Sequence, residues 1–331
     1  MPTRIAVLTT RAAQSAFEYF RPFIVPNPDG TPRWGDVEFV YNPDGGEFDG
    51  AVVWQSVAPL DQARSLRVPP SRTLLAIVEP PDILTLPAGY TRQFAAALGP
   101  DPTVRCKRRF VRSGGHHWFV ELTAEEAVMK PLLEKPRLIS AVVSAKTDTP
   151  GHRRRLHFMR ALKEHFGDRL DWFGRGVREI GGRKLNALEE YRYHLVFENG
   201  VWPHYWTEKL ADAFVANCLP FYWGDPLLAK TFNPQSYVPI EIDDVAATIW
   251  HLEQAIAGDW WGQRQEAIAE SRRRVVEELH PFRIWMECLQ SLPASSTEEI
   301  TIQPFDRFAF SLRERIGLKW RRMTARRKSA F

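Results

Sequence analysis

Cysteine is scarce in this 331-residue chain: Cys106, Cys218 and Cys288 are the three, far apart and odd in number. Such a set builds no disulfide framework and has no metal-ligand spacing, so stability must come from an apolar core, and a reducing compartment is expected. Long hydrophobic runs are missing too. Residues 4–10 stay apolar only briefly, and no later stretch reaches the ~20 residues of a spanning helix, so a cytoplasmic location is expected. Neither an internal repeat nor a low-complexity linker interrupts the chain. No nucleic-acid reader motif occurs, so nucleic acid is not an expected partner. Nor do paired carboxylates demand a metal; Asp243-Asp244 comes nearest and reads as a turn and helix cap.

What is present is an ordinary globular composition, 44% hydrophobic and 25% charged, at a length that suits two domains. The net charge of +4 is unevenly placed. Between Ser311 and Phe331 stand eight cations (Arg313, Arg315, Lys319, Arg321, Arg322, Arg326, Arg327 and Lys328) against the single acid Glu314. Phe308, Phe310, Leu312, Ile316, Leu318 and Trp320 alternate with them. Residues 301–331 therefore read as a basic amphipathic tail, with an anionic membrane surface as the partner it suits, peripheral on the inner face of the cytoplasmic membrane.

Continuous apolar runs bounded by turn residues suit strands buried on both faces of a parallel sheet. Residues 4–9, 37–41, 50–54 and 73–78 are of this kind, with helices expected over 11–20 and 58–67. Residues 123–136 read as a crossing between domains, with a short helix near Glu125 and Glu126. A second series follows: strands at 138–143, 194–197, 219–222 and 237–240, and helices at 153–166, 185–191, 207–217, 245–257 and 261–278. In the first long helix Leu156, Met159, Leu162 and Phe166 recur at helical spacing. The expected organisation is α/β: a Rossmann-like domain at 1–122, a linker at 123–136, a second such domain at 137–300 and the tail at 301–331.

The chemistry-bearing segment begins at Tyr193. An apolar strand delivers Glu198 and Asn199 to its carboxyl end, a Gly/Pro loop follows, and a helix starts at Thr207 with Glu208 and Lys209 in its first turn. Free N–H groups and a partial positive charge at a helix start suit a phosphate. Lys209 is unfavourable at that end unless an anion lies nearby, so a bound pyrophosphate would resolve the conflict. A second strand then runs into Tyr222-Trp223-Gly224-Asp225-Pro226, whose aromatic neighbourhood could receive a nucleobase, although Phe221 itself reads as core.

Taken in order, Phe197-Glu198-Asn199, Tyr205-Trp206-Thr207-Glu208-Lys209, Pro220 to Pro226 and Phe232-Asn233-Pro234-Gln235-Ser236-Tyr237-Val238 resemble the donor domain of the family 10 α-1,3/4-fucosyltransferases, bacterial type. The resemblance runs from about Pro136 to Leu289 and fades before it. It implies a GT-B fold, two Rossmann-like domains facing across a cleft, with GDP-fucose as donor, no cofactor, no metal, and inversion at the anomeric carbon. It further implies that Lys209 and Arg155 bind the pyrophosphate, although Arg153 and Arg154 stand beside Arg155 and a small shift of register exchanges them. Glu208 would hold the ribose hydroxyls, Asn199 and Tyr205 would contact phosphate or sugar, and Glu198 would lie beside the fucose. The general base of such an enzyme is a carboxylate of the first domain. Asp101 is the first candidate, although Pro102 stands where relatives have a second acid. Glu79 is the second, and His116 or His117 an alternative. The acceptor would be a glycan containing GlcNAc, in α-1,3/4 linkage. A different nucleotide sugar on the same fold, and a nucleic-acid-binding protein using the basic tail, are the competing readings.

Overall fold

The computed structural model describes residues 2–26, 32–55, 60–131, 134–148 and 150–318. Its contacts divide the chain into two units, Met1–Gly115 with Pro281–Phe331, and His116–His280.

The first unit is built on β1 (Thr3–Leu8), β2 (Val37–Tyr41), β3 (Gly50–Gln55), β4 (Arg64–Val68), β5 (Thr73–Ile77), β6 (Ala96–Gly99) and β7 (Arg108–Val111). Six of these form one sheet in the order β2-β1-β3-β5-β6-β7. Every neighbouring pair in it is parallel. Strands β3 and β5 are buried at every position, as their unbroken apolar runs require. One face carries Leu8, Val53, Leu75, Tyr90 and Phe94. A separate aromatic cluster gathers Phe20 of helix α1 (Ala13–Phe20), Phe39, Phe282 and Trp285.

Two parts of this unit depart from the expectation. Residues 58–67 do not form a helix: among the described ones, Arg64–Val68 is a strand antiparallel to Glu298–Ile302. The reason lies in alternation, with Leu66 and Val68 buried and Ser65 and Arg67 exposed, a period of two. The second departure concerns the domain limits. The helix Pro281–Gln290 and the strand Glu298–Ile302, expected in the second domain and tail, belong here, because Phe282 stacks on Phe39 with ring centroids 4.0 Å apart. Residues 312–318 are helical, and the Glu314 carboxylate accepts the Ala88 N–H at 2.7 Å. The rest of the basic tail, 319–331, lies outside the described residues. No described helix is long and apolar enough to cross a membrane.

The second unit holds β8 (Arg137–Val142), β9 (Leu170–Phe173), β10 (Tyr191–Phe197), β11 (Leu219–Trp223) and β12 (Val238–Pro239), all parallel, in the order β9-β8-β10-β11-β12. Helix α2 (Pro150–Phe166) joins β8 to β9, and α3 (Glu208–Val215) joins β10 to β11. Helix α2 packs on α4 (Val245–Ala257), and α3 on α5 (Gln265–Arg273). Leu156, Met159, Leu162 and Phe166 are buried at the helical spacing expected of them. The helix expected over 185–191 is a 3-10 turn at Lys184–Ala187, because Tyr191 already pairs with Arg137 in the sheet. The helix expected over 261–278 is broken into Trp260–Gln263, α5 and a wide turn at Arg274–Glu278.

Replacing Phe282 by alanine is expected to cost about 3–5 kcal/mol, the range for truncating a buried aromatic. Denaturant unfolding measures it, and a loss under ~1 kcal/mol would show that residues 281–290 do not help to stabilise the first unit.

Candidate functional site

The order of strands in the second unit decides where a ligand can sit. From β8 the chain passes through α2 to β9 on one side, and from β10 through α3 to β11 on the other. The reversal between β8 and β10 leaves a crevice at their carboxyl ends, the standard ligand position of an open α/β sheet. A cavity of about 210 Å³ lies there, lined by Ser144 and Lys146 after β8, His152 and Arg155 of α2, His194 and Asn199 of the β10 segment, Lys184, and Lys209 and Asp212 of α3.

One buried carboxylate sets the local geometry. Glu198 is fully buried at the end of β10. Its Oε1 accepts the Thr207 N–H at 2.8 Å and its Oε2 the Thr207 hydroxyl at 2.7 Å. Thr207 caps α3 and accepts from Lys209 Nζ at 3.0 Å. Lys209 Nζ lies 3.6 Å from Glu198 and 3.1 Å from Glu208. Burial raises the pKa of Glu198, against the pull of Lys209. For Glu208 burial pushes the same way but is outweighed by Lys209, Lys184 and His116, which hold its carboxyl at about 2.

The second motif locks this arrangement from behind. Asp225 Oδ1 accepts the His204 N–H at 2.9 Å, and the Tyr222 hydroxyl lies 3.3 Å from the Tyr205 carbonyl, to which it donates. A side chain at Gly224 would put its Cβ 2.3 Å from that hydroxyl and 2.6 Å from Glu198 Cγ, so only glycine fits. Phe221 is buried, as read from the sequence, and so is Tyr222, while Trp223 at the strand end is half-buried. The aromatic and turn residues of this strand end hold the loop over residues 199–206.

The three adjacent arginines of α2 part company because a helix turns about 100° per residue. Arg153 donates to the Thr147 carbonyl at 2.8 Å, and Arg154 pairs with Asp243 on the surface. Arg155 lines the cavity and donates to the Glu198 carbonyl at 3.3 Å. Burial lowers the pKa of Arg155, but a guanidinium stays charged. Arg155, Asn199 and Lys209 therefore share one cavity. Tyr205 and Glu198 are both buried close to Arg155.

Three further polar groups, Asp212, Lys184 and His194, line the cavity and escaped the sequence reading. Asp212 is fully buried, with Lys184 Nζ 2.5 Å from its Oδ2. Burial raises its pKa to about 6, against Lys184. The one sequence signal for Asp212 is that it interrupts the apolar run Leu210–Val215, and nothing local marks Lys184. His194, buried in β10, bonds through Nδ1 to the Ser140 hydroxyl at 2.7 Å. Burial, then Lys184 and Lys135, lower its pKa to about 3. His116 belongs to this unit, near Glu208 and Lys209, and burial with Lys209 lowers it to about 4, so its imidazole is neutral at pH 7. His117 is buried edge-on against Phe119.

The two carboxylates expected to act as base stand in the first unit. Asp101 follows β6, half-buried, its Oδ1 accepting from the Thr103 N–H at 2.8 Å and hydroxyl at 2.7 Å. Glu79, also half-buried, follows β5, the neighbouring strand. Asp243 and Asp244 take the turn and cap roles read from sequence, Asp244 accepting the Ala247 N–H at 2.9 Å. Among the described residues no group of three or more His, Cys, Asp or Glu side chains is placed to hold a metal ion.

The fold and this crevice together define a Rossmann-like α/β unit with a cationic site at its switch point. Residues 132–257 match the C-terminal domain of glycosyltransferase family 10 (fucosyltransferase), and that segment is a domain of this family. The α-(1,3)-fucosyltransferase FucT of Helicobacter pylori is 45% identical over 57 residues, 17% of this chain and 12% of that protein, so the match spans about an eighth of the relative's length. A crystal structure of an α1,3-fucosyltransferase with GDP-fucose superposes with a TM-score of 0.50 at 16% identity, covering 90% of this chain and 93% of that one. This shared fold is α/β, of the GT-B class with its two Rossmann-like units.

The buried histidine gives a pH test. Because the folded protein holds His194 at about 3, below the ordinary 6.5, its neutral form is favoured on folding. That stability is fully present above about pH 6.5 and drains as pH falls toward 3. In His194→Gln the unfolding free energy should fall less steeply between pH 6 and 4, by up to ~1.4 kcal/mol per pH unit relative to the parent. Parallel slopes in thermal or urea unfolding would mean that His194 does not titrate on unfolding.

Proposed function

We propose that this chain is an inverting fucosyltransferase that transfers L-fucose from GDP-fucose to a hydroxyl of a glycan acceptor, a GlcNAc-containing one in α-1,3/4 linkage. The observation that carries the reading is the convergence of Arg155 and Lys209 on one switch-point cavity, inside the segment that matches the fucosyltransferase family. The names of the similar proteins, an α-(1,3)-fucosyltransferase and one crystallised with GDP-fucose, support the choice of donor.

In this reading the diphosphate lies against the first turn of α3, between the guanidinium of Arg155 and the ammonium of Lys209. The pair of Lys209 with Glu198 and Glu208 holds that ammonium in place before the donor arrives. Glu208, ionised at any physiological pH, accepts from the ribose hydroxyls. Asn199 contacts the phosphate or the sugar, and Tyr205 backs Arg155. Glu198 is assigned a positioning role, because both of its oxygens serve Thr207.

Transfer breaks the bond between the anomeric carbon and the β-phosphate oxygen, and the electron pair leaves with GDP. The acceptor oxygen attacks from the opposite face, and its proton passes to a carboxylate of the first unit, Asp101 in the first instance and Glu79 in the second. Two cations and a helix start stabilise the charge that grows on the leaving diphosphate. The reaction is assigned to the cytoplasmic side, with the basic tail, residues 301–331, drawing the enzyme to an anionic membrane surface that carries the acceptor.

Lys209→Ala should lower the turnover of GDP-fucose about 100-fold or more in protein that still folds, with a lowered melting temperature because the buried Glu198 loses its cation. Radiolabelled transfer to a panel of GlcNAc-terminated acceptors, with GDP-mannose and UDP-sugars as controls, measures it. Turnover near the parental value would remove Lys209 from the phosphate site.

A further inference from the structure

Asp212 is out of place in a cavity built for an anion. It sits one turn beyond Glu208 on α3, fully buried, at the cavity's edge. Its Oδ1 accepts the Phe119 N–H, and its Oδ2 faces Lys184 Nζ at 2.5 Å without a well-aligned hydrogen bond. The Lys184 ammonium in turn lies 5.5 Å from the centre of the Phe119 ring. A buried carboxylate repels phosphate strongly, so the diphosphate belongs with Arg155, Lys209 and the first turn of α3. Whatever part of the donor reaches Asp212 must bring hydrogen-bond donors, and with the ribose hydroxyls assigned to Glu208 those left are the N–H groups of the base.

On the reading that GDP-fucose is the donor, we infer that Asp212 and Lys184 read the guanine base. Residues four apart share one face of a helix, ~6 Å apart along its axis. If Glu208 holds the ribose, the next turn meets the base. Guanine presents N1–H and its 2-amino group side by side, with the O6 acceptor next to them. One carboxylate takes both donors, and the neighbouring ammonium takes O6. Adenine turns a bare N1 toward the carboxylate, lone pair against lone pair. Uracil offers a single N–H between two carbonyls. The pair therefore selects guanosine diphosphate sugars, and the buried ion pair is retained for specificity rather than for stability.

Calorimetric titration of the full chain with GDP, IDP and ADP tests this. IDP differs from GDP only in lacking the 2-amino group. The unmodified protein should bind GDP about tenfold more tightly than IDP, and ADP more weakly than either. In Asp212→Asn the amide oxygen can still accept from Phe119, but the GDP-to-IDP ratio should fall to near one. Lys184→Met should weaken GDP and IDP, which both carry O6, and leave ADP nearly unchanged. Should Asp212→Asn fail to fold, the three nucleotides on the unmodified protein and on Lys184→Met still decide. Equal affinity for GDP and IDP in the unmodified protein overturns the inference. A Lys184→Met variant that loses all three equally also overturns it, because Lys184 is then a phosphate ligand. If no diphosphate binds at all, the proposed function falls together with this inference.

Discussion

The site depends on a single carboxylate that no ligand needs to touch. Glu198, fully buried at the end of β10, uses both oxygens on Thr207 and so fixes where α3 begins. Thr207 in turn accepts from Lys209, so the direction of that ammonium is inherited from the clamp. A charge buried this deeply is costly unless it is paired and hydrogen-bonded. Here it has two donors and a cation, and the positive end of α3 adds to the compensation. The clamp, the absent side chain at Gly224 and the tyrosine and aspartate that hold residues 199–206 form one continuous structure, which explains why motifs far apart in sequence serve one site.

Topology supplies what the clamp cannot. The strand order reverses between β8 and β10, so the starts of α2 and α3 border one crevice, each with a cation. Arg155 and Lys209 come from segments more than fifty residues apart and meet only because β8 and β10 are sheet neighbours. The cavity is also lined by a buried carboxylate, Asp212, paired with Lys184, and by a neutral histidine, His194. In the proposed reading, phosphate and base are recognised by different ends of this cavity.

Much of this was legible from the amino acids, for identifiable reasons. Continuous apolar runs such as Gly50–Gln55 announce strands buried on both faces, and a threonine before Glu208-Lys209 announces a helix start. Failures came where information is not local. Arg64–Val68 looks helical until its partner, more than two hundred residues later, supplies the other half of a ladder. Leu170–Phe173 is too short to stand out and is a strand because β8 pairs with it. Three successive arginines cannot be told apart in a sequence; only the angular position on α2 sends Arg155 to the cavity and Arg154 to Asp243. Lys184 and Asp212 do not stand out in the sequence, because each has meaning only beside the other.

The central claim is that Arg155 and Lys209 act together on one anion. A double-mutant cycle on GDP affinity measures this directly, comparing Arg155→Ala, Lys209→Ala and the double variant by calorimetry. A shared diphosphate predicts that the two losses are not additive, with a coupling of about 1 kcal/mol or more. Strictly additive losses, or GDP affinity untouched by either change, would contradict it.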